Sequence, residues 1–332
     1  MKVLVTGGAG YIGSHAVREL REAGHEIAVL DDLSRGHRRS VPPDVPLVRG
    51  DLGDAASLAR ALDGADAVIH FAGVLSVPES VADPLSYYRI NVVKGVALLE
   101  AMEAAGVRDL VFSSTCATYG VPTRVPIDED QAQEPINPYG ASKLAFERAL
   151  AAVCRTGRLR AVALRYFNAA GCHADGTLGE DHRPEEHVIP RAIDAALGRG
   201  EPLQIYGEDY DTPDGTCIRD YIHVQDLARA HLLALDVVTR AGSAEAWQAI
   251  NLGTGEGRSV REVIQAVERA VRKPVPARVG PRRVGDPPRL VAAVERARRV
   301  LGFETRHSDL DNIVESAVRW RRDHPQGYGS AS

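Results

Sequence analysis

The chain has 332 residues, 44% of them hydrophobic and 26% charged, the makeup of a soluble globular protein long enough for about two domains. A formal net charge of −5 gives no electrostatic reason to expect nucleic acid or an anionic membrane as partner. No apolar run approaches the ~20 residues of a membrane span, Met1–Gly7 is too short for a signal peptide, and four scattered cysteines (Cys116, Cys154, Cys172, Cys217) without a Cys-x-x-Cys pair suit free thiols in a cytoplasmic location.

Lys2–Thr6, Glu26–Leu30, Pro46–Arg49, Ala67–His70, Leu110–Ser113 and Ala161–Tyr166 read as buried strands. Between them Ile12–Ala23, Ala55–Leu62, Leu85–Ala105 and Pro138–Cys154 carry helical periodicity. This alternation predicts an α/β fold, a doubly wound parallel (Rossmann) sheet over residues 1–170. Residues 171–332 read as a smaller C-terminal α/β substrate-binding domain, with about 219–240 able to return to the first. Within it, Gly171–Glu186 is a polar loop, His187–Gly198 a helix, Leu203–Tyr206 a strand and Glu208–Gly215 an acidic turn. Val224–Leu235, Ser259–Val271 and Leu310–Arg322 look helical, and residues after His324 look like a frayed tail.

Thr6-Gly7-Gly8-Ala9-Gly10-Tyr11-Ile12-Gly13 joins the first strand to the first helix. Glycine is needed there because the turn takes unusual dihedrals and the backbone must closely approach a pyrophosphate seated on the helix N-terminus. Asp31 follows at about the spacing of a ribose-binding acid, which favours NAD over NADP. Arg35, Arg38 and Arg39 nearby could accept a 2′-phosphate but read as surface residues. Asp51-Leu52 and Phe71-Ala72-Gly73 end later strands, on the sheet edge where this fold binds ligands. Tyr139 and Lys143 stand one helical turn apart, so an ammonium can lie beside a phenol and lower its pKa from about 10. Such pairs also arise by chance on solvated faces; the upstream glycine loop and Thr115 at a strand end favour the catalytic reading. His173, His182 and His187 lie among acids but match no standard ligand spacing, so we expect a solvated loop and no metal.

Gly7–Gly13, Asp51-Leu52, His70–Gly73, Ser113-Ser114-Thr115, Tyr139–Lys143, Arg165–Asn168, Arg219-Asp220-Tyr221-Ile222-His223-Val224, Asn251–Gly255, Pro281–Pro287 and His324–Tyr328 occur in this order. In them the chain resembles the nucleotide-sugar 4-epimerases of the extended short-chain dehydrogenase/reductase family, over nearly its whole length. The resemblance implies inversion of a UDP-hexose such as UDP-glucose or UDP-galactose at C4 through a transient 4-keto sugar. It implies tightly held NAD, with Tyr139 as acid/base, Lys143 tuning it and holding the nicotinamide ribose, and Thr115 bonded to the reacting oxygen. Around the cofactor it implies Gly7, Gly10, Tyr11, Ile12 and Gly13, then Asp31, Asp32 and Leu33, then Asp51 and Leu52. Phe71, Ala72, Gly73, Asn91, Ser113 and Tyr166 complete that side. On the substrate it implies Arg219 and Arg283 at the diphosphate, Asp286 at the uridine ribose, Gln204 and Tyr206 near the uracil, and Asn168, His187 and Val188 near the sugar. Guanidinium geometry suits phosphate oxygens, though surface ion pairs would explain the arginines as well.

Departures from the family pattern are Leu75 in place of a lysine, His187 in place of an asparagine, and Leu290 where some members have a tyrosine. The smaller Leu290 leaves room for an N-acetyl group. A 4,6-dehydratase is disfavoured, because Cys116-Ala117 follow Thr115 where a carboxylate pair is expected. The alternatives are a 4-epimerase for another UDP-sugar (UDP-N-acetylglucosamine, UDP-glucuronate or a UDP-pentose) and a non-catalytic NAD-binding regulator. By the same resemblance, Leu85–Ala105 and Pro138–Cys154 form the face of a homodimer.

Overall fold

Short β-branched runs flanked by glycine cannot sustain helices, and they assemble here as parallel strands. In this computed structural model, which describes residues 1–240, 242, 245–283 and 286–329, the first half runs β1 (Lys2–Thr6), α1 (Tyr11–Glu22), β2 (Glu26–Asp31), β3 (Leu47–Arg49), α2 (Ala55–Leu62) and β4 (Ala67–His70). It continues through α3 (Val77–Ala82), α4 (Pro84–Tyr88), α5 (Lys94–Ala105), β5 (Asp109–Thr115), α6 (Pro138–Arg155), β6 (Arg160–Tyr166) and β7 (Asn168–Ala170). The second half comprises α7 (Val188–Ala196), β8 (Leu203–Tyr206), β9 (Ile218–Arg219), β10 (Tyr221–His223), α8 (Val224–Arg240), β11 (Trp247–Leu252) and β12 (Arg258–Ser259). Then follow α9 (Val260–Val271), β13 (Ala277–Gly280), β14 (Arg289–Leu290), α10 (Glu295–Leu301) and α11 (Leu310–Asp323).

The large sheet has the order β11-β6-β5-β4-β1-β2-β3, and each neighbouring pair is parallel. Its strand order reverses between β1 and β4, which opens a crevice at their C-terminal ends. Alternation along β1 divides the core: Val3 and Val5 face α1 and α8 with Leu20, Leu227 and Ala234, while Leu4 faces α2, α5 and α6 with Leu58, Leu98 and Phe146. Each of these side chains is essentially sealed from water, worth roughly 1.5–3 kcal/mol apiece for the large ones. A separate cluster joins α7, α9 and α11 through Ile193, Val267, Ile313 and Trp320. The chain does not stay there: α8 packs on α1, β5 and β6, and β11 pairs with β6.

Three readings of the sequence need correction. The continuous helix expected over Leu85–Ala105 contains a π-helical turn at Arg89–Val93 between α4 and α5, because Asn91 is drawn inward to bond the Val74 backbone. The tail after His324 is not frayed: Tyr328 is buried, its hydroxyl accepts from the Gly179 N–H at 3.0 Å, and its own N–H donates to Asp181 at 2.9 Å. Ser330, Ala331 and Ser332 of that tail lie outside the described residues. Trp247–Leu252 was not expected as a strand, yet it completes the sheet beside β6.

Candidate active site

Asn137 accepts from the Gly140 N–H at 2.9 Å and Pro138 takes the first helical position, so α6 starts with its register fixed. That register puts Tyr139 and Lys143 on one buried face, 8% and 6% exposed. The Lys143 ammonium donates to the Ser113 carbonyl at 2.9 Å and lies 4.8 Å from the Phe112 ring centre. Thr115, at the end of β5, accepts from the Ala117 N–H at 3.1 Å. Ser113 donates its hydroxyl proton to Tyr166 at 3.1 Å.

The electrostatics differ from the sequence expectation. Burial, followed by the Tyr166 phenol, pushes the Tyr139 pKa up, against a hydrogen bond with Thr115 that lowers it. Burial also lowers the Lys143 pKa to about 8, with Glu147 opposing. The Lys143 ammonium keeps its charge while bonded to the Ser113 carbonyl, and burial is the largest influence on the Tyr139 phenol.

The glycine loop is shaped for close approach. Gly7 has φ +71°, and a Cβ on it would sit 2.5 Å from the Ala72 nitrogen. A Cβ on Gly13 would sit 2.2 Å from the Gly7 oxygen. Gly10 precedes α1 in extended conformation and no side chain caps the helix, which leaves its first N–H groups to an anion. This cradle fits the pyrophosphate of a dinucleotide. Asp31 is buried at the end of β2, where its carboxylate accepts from Ala9 and Leu33, each at 2.9 Å. It therefore braces the loop itself, with Leu33 at φ 62° and Asp32 accepting from the Ser34 N–H. Arg35 pairs with Glu79 at the surface, and Arg38 and Arg39 donate to the Val41 and Tyr328 carbonyls.

Asp51 is bonded by Lys94 and the Gly53 N–H. Partial burial pushes its pKa up, but those two donors win and hold the carboxyl below its usual range. Leu52 and Ile12 pack into the two faces of the sheet. Phe71 and Ala72 both donate their N–H groups to the Thr6 carbonyl. Gly73 passes so close to Asn91 that a Cβ would lie 2.8 Å from its amide oxygen. The Asn91 amide is committed to Val74 and to Ser142. Tyr11 donates to the Gly171 carbonyl at 2.5 Å and so ties the loop to the second half.

Behind Tyr139 and Lys143 lies a network the sequence reading missed. Glu147, one turn after Lys143, pairs bidentately with Arg165 (2.7 Å at the shorter contact) and accepts from Ser114. Arg165 also donates to the Tyr119 hydroxyl at 2.9 Å, which donates to Asn251 at 2.7 Å. The signal was a lone arginine inside the apolar run of β6.

On the other side of the crevice, Arg219 is 9% exposed and donates to Asp286. The Arg283 guanidinium lies 3.8 Å from the Tyr206 ring centre, and its hydrogen bond lowers the Tyr206 pKa. Gln204 donates to the Arg278 carbonyl at 3.2 Å. Asn168 receives its β7 pairing from β10, and Val188 begins α7 half-buried against the third core cluster. Val284 and Gly285 lie outside the described residues. Asp220 accepts from Thr254, Gly255 and Ala292, so the Arg-Asp-Tyr and Asn-Leu-Gly-Thr-Gly motifs are one structure. Burial pushes the Cys116 thiol up to about 12, against the positive charge of Arg219, which lowers it. Leu290 packs with Cys116 and Phe167 beside it.

The histidine loop is not the solvated segment expected. Glu180 is 5% exposed, and His182, Glu185 and His187 gather around it. Burial would lower the His182 pKa, but its contacts to Glu180 and Glu185 raise it to about 9. His173 stands apart, bonded to Asp175 at 2.8 Å.

The profile of the NAD dependent epimerase/dehydratase family matches residues 3–253. A UDP-glucose 4-epimerase of Azospirillum brasilense is 51% identical over 332 residues, covering 99% of this chain and 94% of the relative. The crystal structure of a UDP-glucose 4-epimerase from Brucella ovis in complex with NAD is 50% identical, with TM-score 0.92 and coverage of 96% and 97% of the two chains. That from Bifidobacterium longum in complex with NAD+ and UDP is 38% identical, with TM-score 0.92 and coverage of 98% and 100%. No described helix is long and apolar enough to cross a membrane.

Proposed function

The chain belongs to the NAD dependent epimerase/dehydratase family, and we propose on that premise that it interconverts UDP-glucose and UDP-galactose by inverting C4. The observation that carries this reading is the buried Tyr139–Lys143 face of α6, set beside Thr115 at the sheet edge that also holds the glycine loop. Gly7, Gly10, Gly13 and Asp31 would hold NAD, which when bound would supply reversible hydride-transfer chemistry at C4.

Tyr139 takes the proton of the sugar 4-hydroxyl as that carbon is oxidised, and gives it back when the alcohol re-forms on the opposite face. Burial raises its pKa, and a cation sharing the crevice favours the ionised form. Lys143, anchored on Ser113, keeps the amine at the ribose side, and Thr115 orients the reacting oxygen. Arg219 and Arg283 grip the diphosphate, Asp286 the uridine ribose, and Tyr206 with Gln204 the base. Asn168, His187 and Val188 line the sugar, which must turn over without release. The division into a cofactor-holding 1–170 and a sugar-holding 171–332 belongs to this reading.

Leu290 favours a second substrate, because a leucine beside Cys116 leaves more space than a tyrosine at the sugar. Incubation with UDP-glucose, UDP-N-acetylglucosamine, UDP-glucuronate and UDP-xylose, with both epimers quantified, tests the substrate range. Absence of UDP-galactose from the first would refute the main reading. The exposed Leu85 (72%) and Val93 (63%) on the α4–α5 segment support a homodimer through these helices and α6. Four unpaired cysteines support a cytoplasmic location.

A further inference from the structure

We propose that Glu180, His182, Glu185 and His187 form a divalent-cation site, suited to zinc, that staples residues 180–187 together where they pack against Tyr11 and Ser76 of the cofactor half. Their donor atoms all lie within 4.8 Å of one another. His187 Nδ1 is 2.5 Å from Glu180 and 3.4 Å from Glu185, and His182 Nδ1 is 3.2 Å and 3.9 Å from the same two carboxylates. A tetrahedral ion with bonds of 2.0–2.1 Å has donors about 3.3 Å apart, and these separations bracket that edge.

Hydrogen bonding explains the cluster incompletely. His182 Nδ1 is shielded from solvent and lies 3.2 Å from Glu180, yet makes no hydrogen bond of good geometry. A nitrogen 3.2 Å from one carboxylate and 3.9 Å from a second, without a well-formed bond to either, is placed for a shared central ion. Two imidazoles and two carboxylates match zinc, whereas magnesium and calcium take oxygen donors. Charge balances as well: two carboxylates offset one divalent ion, and Arg321, 2.8 Å from the second Glu185 oxygen, holds that carboxylate in place.

The position gives the ion a structural task. The Tyr11 ring meets His182 edge-on at 6.0 Å, and Tyr11 belongs to the glycine loop. Ser76 donates to Glu186 at 2.8 Å from the α3 side, and Arg321 reaches in from α11. Pinning the loop therefore fixes the outer wall of the pyrophosphate cradle. This inference does not rest on the substrate reading.

The test starts with the full-length protein, stripped with EDTA and then gel-filtered after exposure to zinc chloride or magnesium chloride at pH 8. Elemental analysis should find about one zinc per chain, no retained magnesium, and a raised melting temperature with zinc. Glu185→Gln and His182→Gln should each weaken zinc retention at least tenfold, with circular dichroism confirming that both variants remain folded. Wild-type protein that retains no zinc, or variants that retain as much as wild type, would overturn the proposal and leave a cluster of shared protons.

Discussion

At the cofactor edge of the crevice, Gly7, Gly10 and Gly13 act by lacking side chains, and the donors they free are backbone N–H groups. Across the crevice, Arg219, Arg283, Asp286 and Tyr206 act by reaching, from separate segments that meet only in the folded chain. The first side is rigid because a change of one methyl group collides with main chain. The second is assembled from long side chains already paired with one another, so a ligand must compete with those pairs or join them. A reaction that holds a cofactor fixed while a sugar rotates is served by this division.

Removing Tyr139, the proton carrier of the proposed reaction, should have the largest effect. Tyr139→Phe should lower kcat by roughly 10³-fold while leaving NAD content and UDP binding unchanged; a kcat near wild type would break the comparison at its centre. Gly13→Ala should follow, since its methyl group meets the Gly7 carbonyl at a cost of about 1–3 kcal/mol of strain. It should empty the protein of NAD while UDP still binds, measured by absorbance and calorimetry. Arg219→Gln should do the reverse, weakening UDP by about 10–100-fold with NAD retained, as read by competitive inhibition. If it also loses NAD, the two sides are not separable.

A smaller effect concerns pH. His15 and His70, held near pKa 3, and His223 and His231, held near 4, are lowered chiefly by burial. Each lies well below the usual histidine value of about 6.5, so the unfolded chain binds protons that the folded chain refuses. Their contribution is fully present above about pH 6.5 and is lost as pH falls toward 4 and 3, at up to about 1.4 kcal/mol per pH unit for each. Urea midpoints at pH 7 and pH 5 measure this, and His231→Gln should flatten the slope. The smallest expected change is from Leu290→Tyr, which should reduce turnover of UDP-N-acetylglucosamine by about tenfold and leave UDP-glucose nearly untouched.

The cofactor side was the legible one, because its chemistry is local: a strand, a run of glycines, a helix and Asp31 all lie within one stretch. Even there, the sequence did not disclose that Asp31 spends its carboxylate on Ala9 and Leu33. Tyr139 and Lys143 were legible as a pair by helical spacing, whereas the burial that raises the phenol and lowers the amine is a property of the whole fold. Arg219, Arg283 and Asp286 had no local pattern and entered through resemblance alone. The His182–His187 loop was misread for the same reason. Polar composition suggested solvent, and only the packing of Tyr11 and Arg321 against it shows otherwise.

The π-helical turn at Arg89–Val93 has one more consequence. It accommodates an additional residue without breaking the rod, and so sets the phase between α4 and α5. Deleting one residue there would restore an unbroken α-helix but swing Leu85 and Tyr88 by about 100° around its axis. Asn91 would lose Val74 and the outward apolar stripe would point elsewhere, so a single codon couples the Val74 backbone to the direction of the exposed Leu85 and Tyr88 side chains.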